Sequence, residues 1–217
     1  MIQSAAEILN EYGPFPGIER VNGVSYDGRQ VWLATGDKLE ALDPESGKIV
    51  RSIHVGARAG TAFDGRYLYQ ISEDRIQKIE PESGQVLGTI PTPGEGCSGM
   101  AWGEGSLWVA VYEQKKIYQI EPDTGTVIRA IASNRHVTGV TWVDGELWHG
   151  TWEDNDDSDV RRIDPQTGEA LESLALPAGV GVSGLESDGG ERFFCGGGRT
   201  GKLRVIRRPR RNAAPAR

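Results

Sequence analysis

The strongest constraint on this chain is a short turn phrase that recurs along it. Its copies read DPESG at 43–47, EPESG at 80–84, EPDTG at 121–125, DPQTG at 164–168 and, in degenerate form, RPRRN at 208–212. The acidic side chain can accept backbone amides, the proline presets φ, and the glycine supplies a left-handed residue, so the phrase predicts a tight turn between two strands. Repetition every ~40 residues is typical of a repeat architecture.

The segments around the phrase read as four strands per repeat. An entry strand ends in an Asp-Gly or Glu-Gly turn, an alternating second strand and a polar loop follow, and the turn phrase joins a third strand to a fourth. Four strands in such a unit make one blade of a β-propeller. The fold class is therefore all-β, a five-bladed β-propeller whose entry strands begin near Asn22, Ala59, Ser98, Thr138 and Ser183.

The fifth repeat ends at its turn phrase and lacks a fourth strand. Residues 6–13 precede the first entry strand, and we expect them to supply the outer strand of blade five and so close the ring. The alternative for this segment is an amphipathic helix, because SAAEIL contains good helix formers. We expect a single domain over residues 1–211 and a flexible tail over 212–217.

Charge and composition exclude several classes of function. The 217 residues carry a net charge of −7. The segment from Arg199 onward contains eight Lys/Arg and no Asp or Glu, so residues 1–198 hold 24 − 8 = 16 bases against 31 acids. Such an acidic body argues against nucleic-acid binding. Two cysteines, no leader pattern and no spanning apolar run predict a soluble cytoplasmic protein that binds no membrane, and we expect a monomer.

Positions that the blades share are expected to be packing positions. A large ring recurs in every second strand, and rings in all repeats indicate packing between blades; they are Trp32, Tyr69, Trp108, Trp148 and Phe194. Ligands of propellers usually bind at the end of the channel where entry strands begin and second-to-third-strand loops project, which is an analogy of fold. Functional residues are therefore expected where blades two to four differ.

Blade four departs most from the pattern. His149 replaces the uncharged residues of the other second strands and is a candidate general base, with a histidine hydrogen-bonded inside the blade as the alternative. Glu73 and Glu153 are the other candidate catalytic groups. Cys97 could act as a nucleophile with His136, or be a small buried residue. The candidate ligand-binding residues are Asn22, Cys97, Tyr112, Glu113, Arg135, His136 and Trp152.

No cofactor is expected from the motifs. The acidic run EDNDDSD at 153–159 lacks the glycine and the terminal acid of an EF-hand loop, so a solvated loop is expected and a divalent cation is the alternative. GGGRTG at 196–201 does not match a phosphate-binding P-loop. Its glycines instead predict close backbone approach near the channel.

From EYGPFPG onward, about 200 residues resemble the five-bladed glutaminyl-peptide cyclotransferase family. The resemblance lies in the N-terminal strand, in VDGELW…TW…RIDPQTGE of blade four and in GGGRTGKLRVI of blade five. It implies cyclisation of N-terminal glutamine with release of ammonia, through a carboxylate that shuttles protons. The family's catalytic glutamate falls at Leu33 and Ala34, so it is not retained.

Other family positions also differ. The family's blade-two tryptophan falls near Glu73, its Asn-Glu pair at Thr138 and Gly139, and its asparagine at Gly150, whereas Trp152 matches. We therefore expect a glutamine cyclotransferase-like propeller that acts on or binds a small molecule or a peptide N-terminus at the channel mouth. The alternatives are a non-catalytic propeller that binds a ligand or a protein, and a lyase or hydrolase of a small molecule.

Overall fold

The computed structural model describes residues 1–153 and 157–209, and its regular structure consists of β-strands. Among these residues, no helix is long and apolar enough to cross a bilayer. The strands form five sheets, each built around one repeat. The sheets follow one another in a ring, which confirms the five-bladed propeller.

Two strands precede the first blade, β1 (Ile2–Ala5) and β2 (Ile8–Tyr12). Blade one comprises β3 (Gly23–Tyr26), β4 (Val31–Ala34), β5 (Leu39–Asp43) and β6 (Lys48–Ile53). Blade two comprises β7 (Thr61–Phe63), β8 (Leu68–Ser72), β9 (Arg75–Ile79) and β10 (Val86–Pro91). Blade three comprises β11 (Cys97–Gly103), β12 (Ser106–Val111), β13 (Lys116–Ile120) and β14 (Val127–Ala132).

The last two blades complete the ring. Blade four comprises β15 (Val137–Val143), β16 (Glu146–Thr151), β17 (Asp159–Ile163) and β18 (Ala170–Ala175). Blade five comprises β19 (Leu185–Ser187), β20 (Arg192–Gly196), β21 (Leu203–Arg207) and the N-terminal β2. In every blade the second strand is the most completely buried and the outer strand the most exposed, as expected for sheets that radiate from an axis.

The N-terminal segment closes the ring as a strand. β2 pairs antiparallel with β21, with Glu11 opposite Arg204. Glu11 accepts a hydrogen bond from Arg204 Nε at 2.8 Å and forms an ion pair with Lys202. Glu7 accepts two bonds from Arg207. Part of the basic C-terminal segment is thus matched by acids in β2 and directly before it.

The first residues make a contact that the repeat pattern does not predict. β1 adds a fifth strand to blade four and runs parallel to β18, with Ile2 opposite Glu172 and Ala5 opposite Ala175. The N-terminus therefore joins blades four and five. The helix alternative for the SAAEIL segment is not found. The tail at 212–217 lies outside the described residues.

A ring of glycines brings the five entry strands into backbone contact around the axis. A Cβ on Gly23 would lie 2.4 Å from the carbonyl oxygen of Ala59, and a Cβ on Gly139 would lie 2.2 Å from the backbone nitrogen of Leu185. The same approach recurs between successive members of the ring, which are Gly23, Gly60, Gly99, Gly139 and Gly184. No larger residue fits there without moving backbone, so the blades are drawn together at this level of the channel.

The shared aromatic row packs between blades. Trp108 of blade three stacks on Trp142 of blade four at 5.1 Å, and Tyr69 stacks on Trp102 at 5.9 Å. All five rings of the row are buried. They stabilise the blade interfaces and have no surface to offer a ligand in the channel.

The turn phrase also joins neighbouring blades. Asp164 caps the backbone amides of Gln166 and Thr167 at 2.7 and 2.9 Å, as its sequence predicts. In addition, Arg129 on the outer strand of blade three donates to the Pro165 carbonyl at 2.8 Å. Tyr12 Oη donates to the Pro44 carbonyl at 2.5 Å across the closure of the ring. The turn phrase therefore forms the tight turn within a blade and also accepts hydrogen bonds from the preceding blade.

Candidate functional site

The main hollow lies at the end of the channel where entry strands begin, which we call the channel mouth. Loops after the second strands of blades three, four and five surround it, together with the segments that lead into entry strands one and five. Its volume is about 620 Å³. Its lining residues are Arg20, Asn22, Tyr112, Trp152, Glu153, Gly179, Gly181, Ser183, Gly197, Gly198, Arg199 and Thr200.

A second hollow adjoins the first. It has a volume of about 320 Å³ and lies toward blades one and two. Arg20 and Asn22 line both hollows. The other lining residues of the second hollow are Glu19, Thr35, Gly36 and Arg58.

Glu153 is the carboxylate on the wall of the main hollow. Its Oε1 accepts the backbone N–H of His136 at 2.9 Å, and its Oε2 lies 3.3 Å from His136 Nδ1. Arg135 Nε lies 3.6 Å from Oε1. Burial acts to raise the pKa of Glu153, but these hydrogen bonds and charges outweigh it and hold the pKa below its usual range. Glu153 is therefore an ionised acceptor.

Arg135 is anchored behind Glu153 by the buried Asp159 and the exposed Asp157. It pairs with Asp159 at 3.2 Å and also contacts Asp157. Asp159 in turn accepts from Thr151 at 2.5 Å and from Arg161 at 2.8 Å. A carboxylate bonded on this many sides holds its position, and Arg135 and Glu153 are fixed with it.

Two aromatic side chains stand beside Glu153. The Tyr112 ring stacks on His136 at 4.6 Å, and its hydroxyl donates to the Trp152 carbonyl at 3.0 Å. The Trp152 indole lies against glycine backbone, where a Cβ on Gly181 would approach to 2.7 Å and one on Gly198 to 2.9 Å. The glycines of GGGRTG thus permit the close approach that the sequence predicts.

The structure brings together some of the residues that the sequence predicts as catalytic or ligand-binding. Four members line the main hollow, namely Asn22, Tyr112, Trp152 and Glu153. Arg135 and His136 bind Glu153 from behind. Glu73 and Glu113 are exposed on their loops and line neither hollow.

His149 lies inside blade four, away from the lining of the hollows. It has no exposed surface, its Nδ1 lies 3.1 Å from the Gly150 carbonyl, and Arg161 is its neighbour across the strands. Burial lowers the pKa of His149 to about 4. The imidazole is therefore neutral at physiological pH, and it lies among the buried residues of the blade, outside the lining of the main hollow.

Cys97 is half-buried and makes a local contact. Its thiol donates to the Gly94 carbonyl at 3.2 Å, and burial raises the pKa of Cys97 to about 11. A thiol of this kind stays protonated near neutral pH and is a poor nucleophile. His136 contacts Glu153 and Tyr112 instead.

The acidic run of blade four is partly engaged with Arg135. Glu153, Asp157 and Asp159 all contact its guanidinium, while residues 154–156 lie outside the described part of the chain. Within the described residues, no three His, Cys, Asp or Glu side chains are grouped as metal ligands.

The differences between blades did not single out the arginines of the two hollows. Arg20 and Arg58 lie in the segments that lead into entry strands one and two, and Arg199 lies in the glycine-rich loop of blade five. All three are exposed. For Arg20 and Arg58, an arginine directly before an entry strand was the available signal.

Comparison with solved structures shows what the architecture is similar to. Glutaminyl cyclase of Myxococcus xanthus is 21% identical, with a TM-score of 0.79, over 95% of this chain and 97% of that one. U3-55K is 11% identical, with a TM-score of 0.61, over 94% of this chain and 100% of that one. Kuenenia stuttgartiensis hydrazine synthase is 18% identical, with a TM-score of 0.51, over 82% of this chain and 55% of that one.

No protein-family model and no curated protein matches the sequence. At these identities the likeness is one of fold, because a propeller supports many unrelated functions. The chain therefore has a five-bladed propeller fold similar to that of glutaminyl cyclase.

Proposed function

We propose that this protein is a glutamine cyclotransferase-like propeller that binds a small molecule or a peptide N-terminus through its amino group at the channel mouth. The observation that carries the proposal is the ionised Glu153 carboxylate on the wall of the main hollow, which Tyr112 and Trp152 also line. The fold likeness to a glutaminyl cyclase makes an N-terminal glutamine the first ligand to test.

The chemistry of this wall suits an ammonium group. An ionised carboxylate accepts charge-assisted hydrogen bonds from an amine, and aromatic faces attract a cation at short range. Arg135 and His136 hold the Glu153 carboxylate in place before the ligand arrives. Preorganisation of this kind reduces the ordering cost of binding.

Cyclisation would require more than binding. The α-nitrogen must attack the side-chain amide carbon and lose a proton, and the departing nitrogen must gain a proton to leave as ammonia. Glu153 is the carboxylate placed to relay that proton. Its lowered pKa makes it a weak base near neutrality, however, and this favours a second candidate, a propeller that binds the ligand without turnover.

The test uses a short peptide with N-terminal glutamine and its N-acetylated form. We expect the free peptide to bind by calorimetry and to raise the melting temperature, and the acetylated peptide to do neither. Glu153→Gln should weaken binding about tenfold or more, because charged hydrogen bonds contribute roughly 1.5–3 kcal/mol. Glu45→Gln, an exposed change in the turn of blade one, is the matched control.

Ammonia release and mass spectrometry distinguish the two candidates. Conversion of the peptide to its cyclised form identifies an enzyme, and binding without ammonia release identifies a binding protein. Equal affinity for the free and the acetylated peptide, or for wild type and Glu153→Gln, would refute recognition of an amine by Glu153.

A further inference from the structure

Three arginines surround the channel mouth. Arg20 and Arg199 line the main hollow, and Arg20 and Arg58 line the adjoining one. Their side chains are exposed, and within residues 1–153 and 157–209 none of the three forms an ion pair or a side-chain hydrogen bond. Their guanidinium groups are therefore available to a ligand that enters either hollow.

The described lining of the two hollows is richer in basic than in acidic side chains. Glu19 and Glu153 are the acidic lining residues among those described. Three arginines therefore stand against two acids in this lining, in a chain whose net charge is −7.

Arginine is well suited to bind a carboxylate. Its planar guanidinium presents parallel N–H donors that match the two carboxylate oxygens, and it stays charged at every relevant pH. Glu153 and the aromatic residues line the same hollow as Arg20 and Arg199. One hollow thus offers an acceptor for an ammonium group and donors for a carboxylate.

We infer that the ligand of the channel mouth is a small zwitterion, a free amino acid or a similarly short amino acid derivative, whose carboxylate is bound by Arg20 and Arg199. This inference rests on the proposed function for the amino group and adds the anionic group. A long peptide is a poorer ligand, because its terminal carboxylate lies far from its terminal amine.

The experiment titrates the wild-type chain with L-glutamine, L-glutaminamide, which lacks the carboxylate, and glutaramic acid, which lacks the amine. We expect glutamine to bind at least about tenfold more tightly than glutaminamide, the effect of losing a charge-assisted contact. Higher salt should weaken the binding of glutamine more than that of glutaminamide, since exposed charges are screened.

Arginine variants locate the contact. Arg20→Gln and Arg199→Gln should each weaken the binding of glutamine by about threefold to tenfold, as expected for partly exposed ion pairs. Neither change should alter the affinity for glutaminamide. Arg29→Gln is the matched control, because Arg29 is exposed in the turn at the opposite end of the first entry strand and changes the net charge equally. Thermal unfolding verifies that each variant folds.

The outcomes separate this inference from the proposed function. If glutaminamide binds as tightly as glutamine, the carboxylate contact is refuted and recognition of the amine stands. If glutaramic acid binds as tightly as glutamine, the arginine contact is supported and recognition of the amine by Glu153 fails. If none of the three compounds binds or raises the melting temperature, the zwitterion inference is refuted, and binding of the N-terminal glutamine peptide then decides whether recognition of the amine stands.

Discussion

The glycine ring makes the sharpest structural prediction, and Gly139→Ala tests it. The new Cβ would lie 2.2 Å from the backbone nitrogen of Leu185 and 2.5 Å from the carbonyl carbon of Gly184. Both contacts are with backbone of the neighbouring blade, so no side-chain rotation can relieve them. Blades four and five must separate at the axis to admit the methyl group.

The expected cost follows from measured effects of overpacking. Extra methyl groups in packed interiors destabilise by about 1–3 kcal/mol, and a clash with rigid backbone belongs at the upper end. For a chain of this size, about 3 kcal/mol lowers the melting temperature by roughly 6–12 °C. The channel mouth should also deform, because Ser183 and Gly181 line it just before Gly184.

Thermal and urea unfolding of Gly139→Ala and Gly88→Ala provide the assay. Gly88 is the matched control, because it lies on an exposed outer strand with nothing within 4 Å of an added Cβ. Its substitution should be neutral, or stabilising by up to about 1 kcal/mol. If Gly139→Ala is as stable as wild type, the entry strands do not pack as closely as described.

Further predictions concern ionisable groups. Burial raises the pKa of Glu186 to about 7, so the free energy of unfolding of wild type should fall as pH rises from 4.5 to about 7. For Glu186→Gln, the free energy of unfolding should fall less over that pH range. Hydrogen bonds from Lys202 and the charge of Arg204 lower the pKa of Glu11. The destabilisation by Glu11→Gln should therefore be present above pH 4.5 and fade below it. A loss of stability that persists in acid would contradict the role of this ion pair. Burial raises the pKa of Cys97 to about 11 and of Cys195 to about 12. Buried Cys195 should therefore react with an aromatic disulfide reagent only after unfolding, and half-buried Cys97 should react slowly; rapid labelling of Cys195 in the native chain would contradict its burial.

The fold was predictable because the sequence signals that specify it are local and repeated. Each turn phrase carries its own capping acid and left-handed glycine, so the strands on either side follow from short-range chemistry. The missing fourth strand of blade five then identified β2 as the closing strand. β1 was not predictable in this way. Its pairing with β18 depends on a free sheet edge that only the folded propeller presents.

The candidate site was only partly predictable, because a residue that differs between blades need not face the channel. Trp152 and Glu153 differ from their counterparts and line the main hollow, whereas His149 differs because it packs beside Arg161 inside the blade. Arg20 and Arg58 went unnoticed because they precede the strands on which the repeats were aligned. Sequence variation pointed to the end of the channel where the main hollow lies but did not single out every residue that lines it.

The most direct test of the account is a crystal structure of the protein grown with L-glutamine at a concentration that saturates binding in calorimetry. We expect density in the main hollow, with the amino group on Glu153 and the carboxylate toward Arg20 and Arg199. Glutamine bound at any other place on the propeller, with this hollow empty, would contradict it.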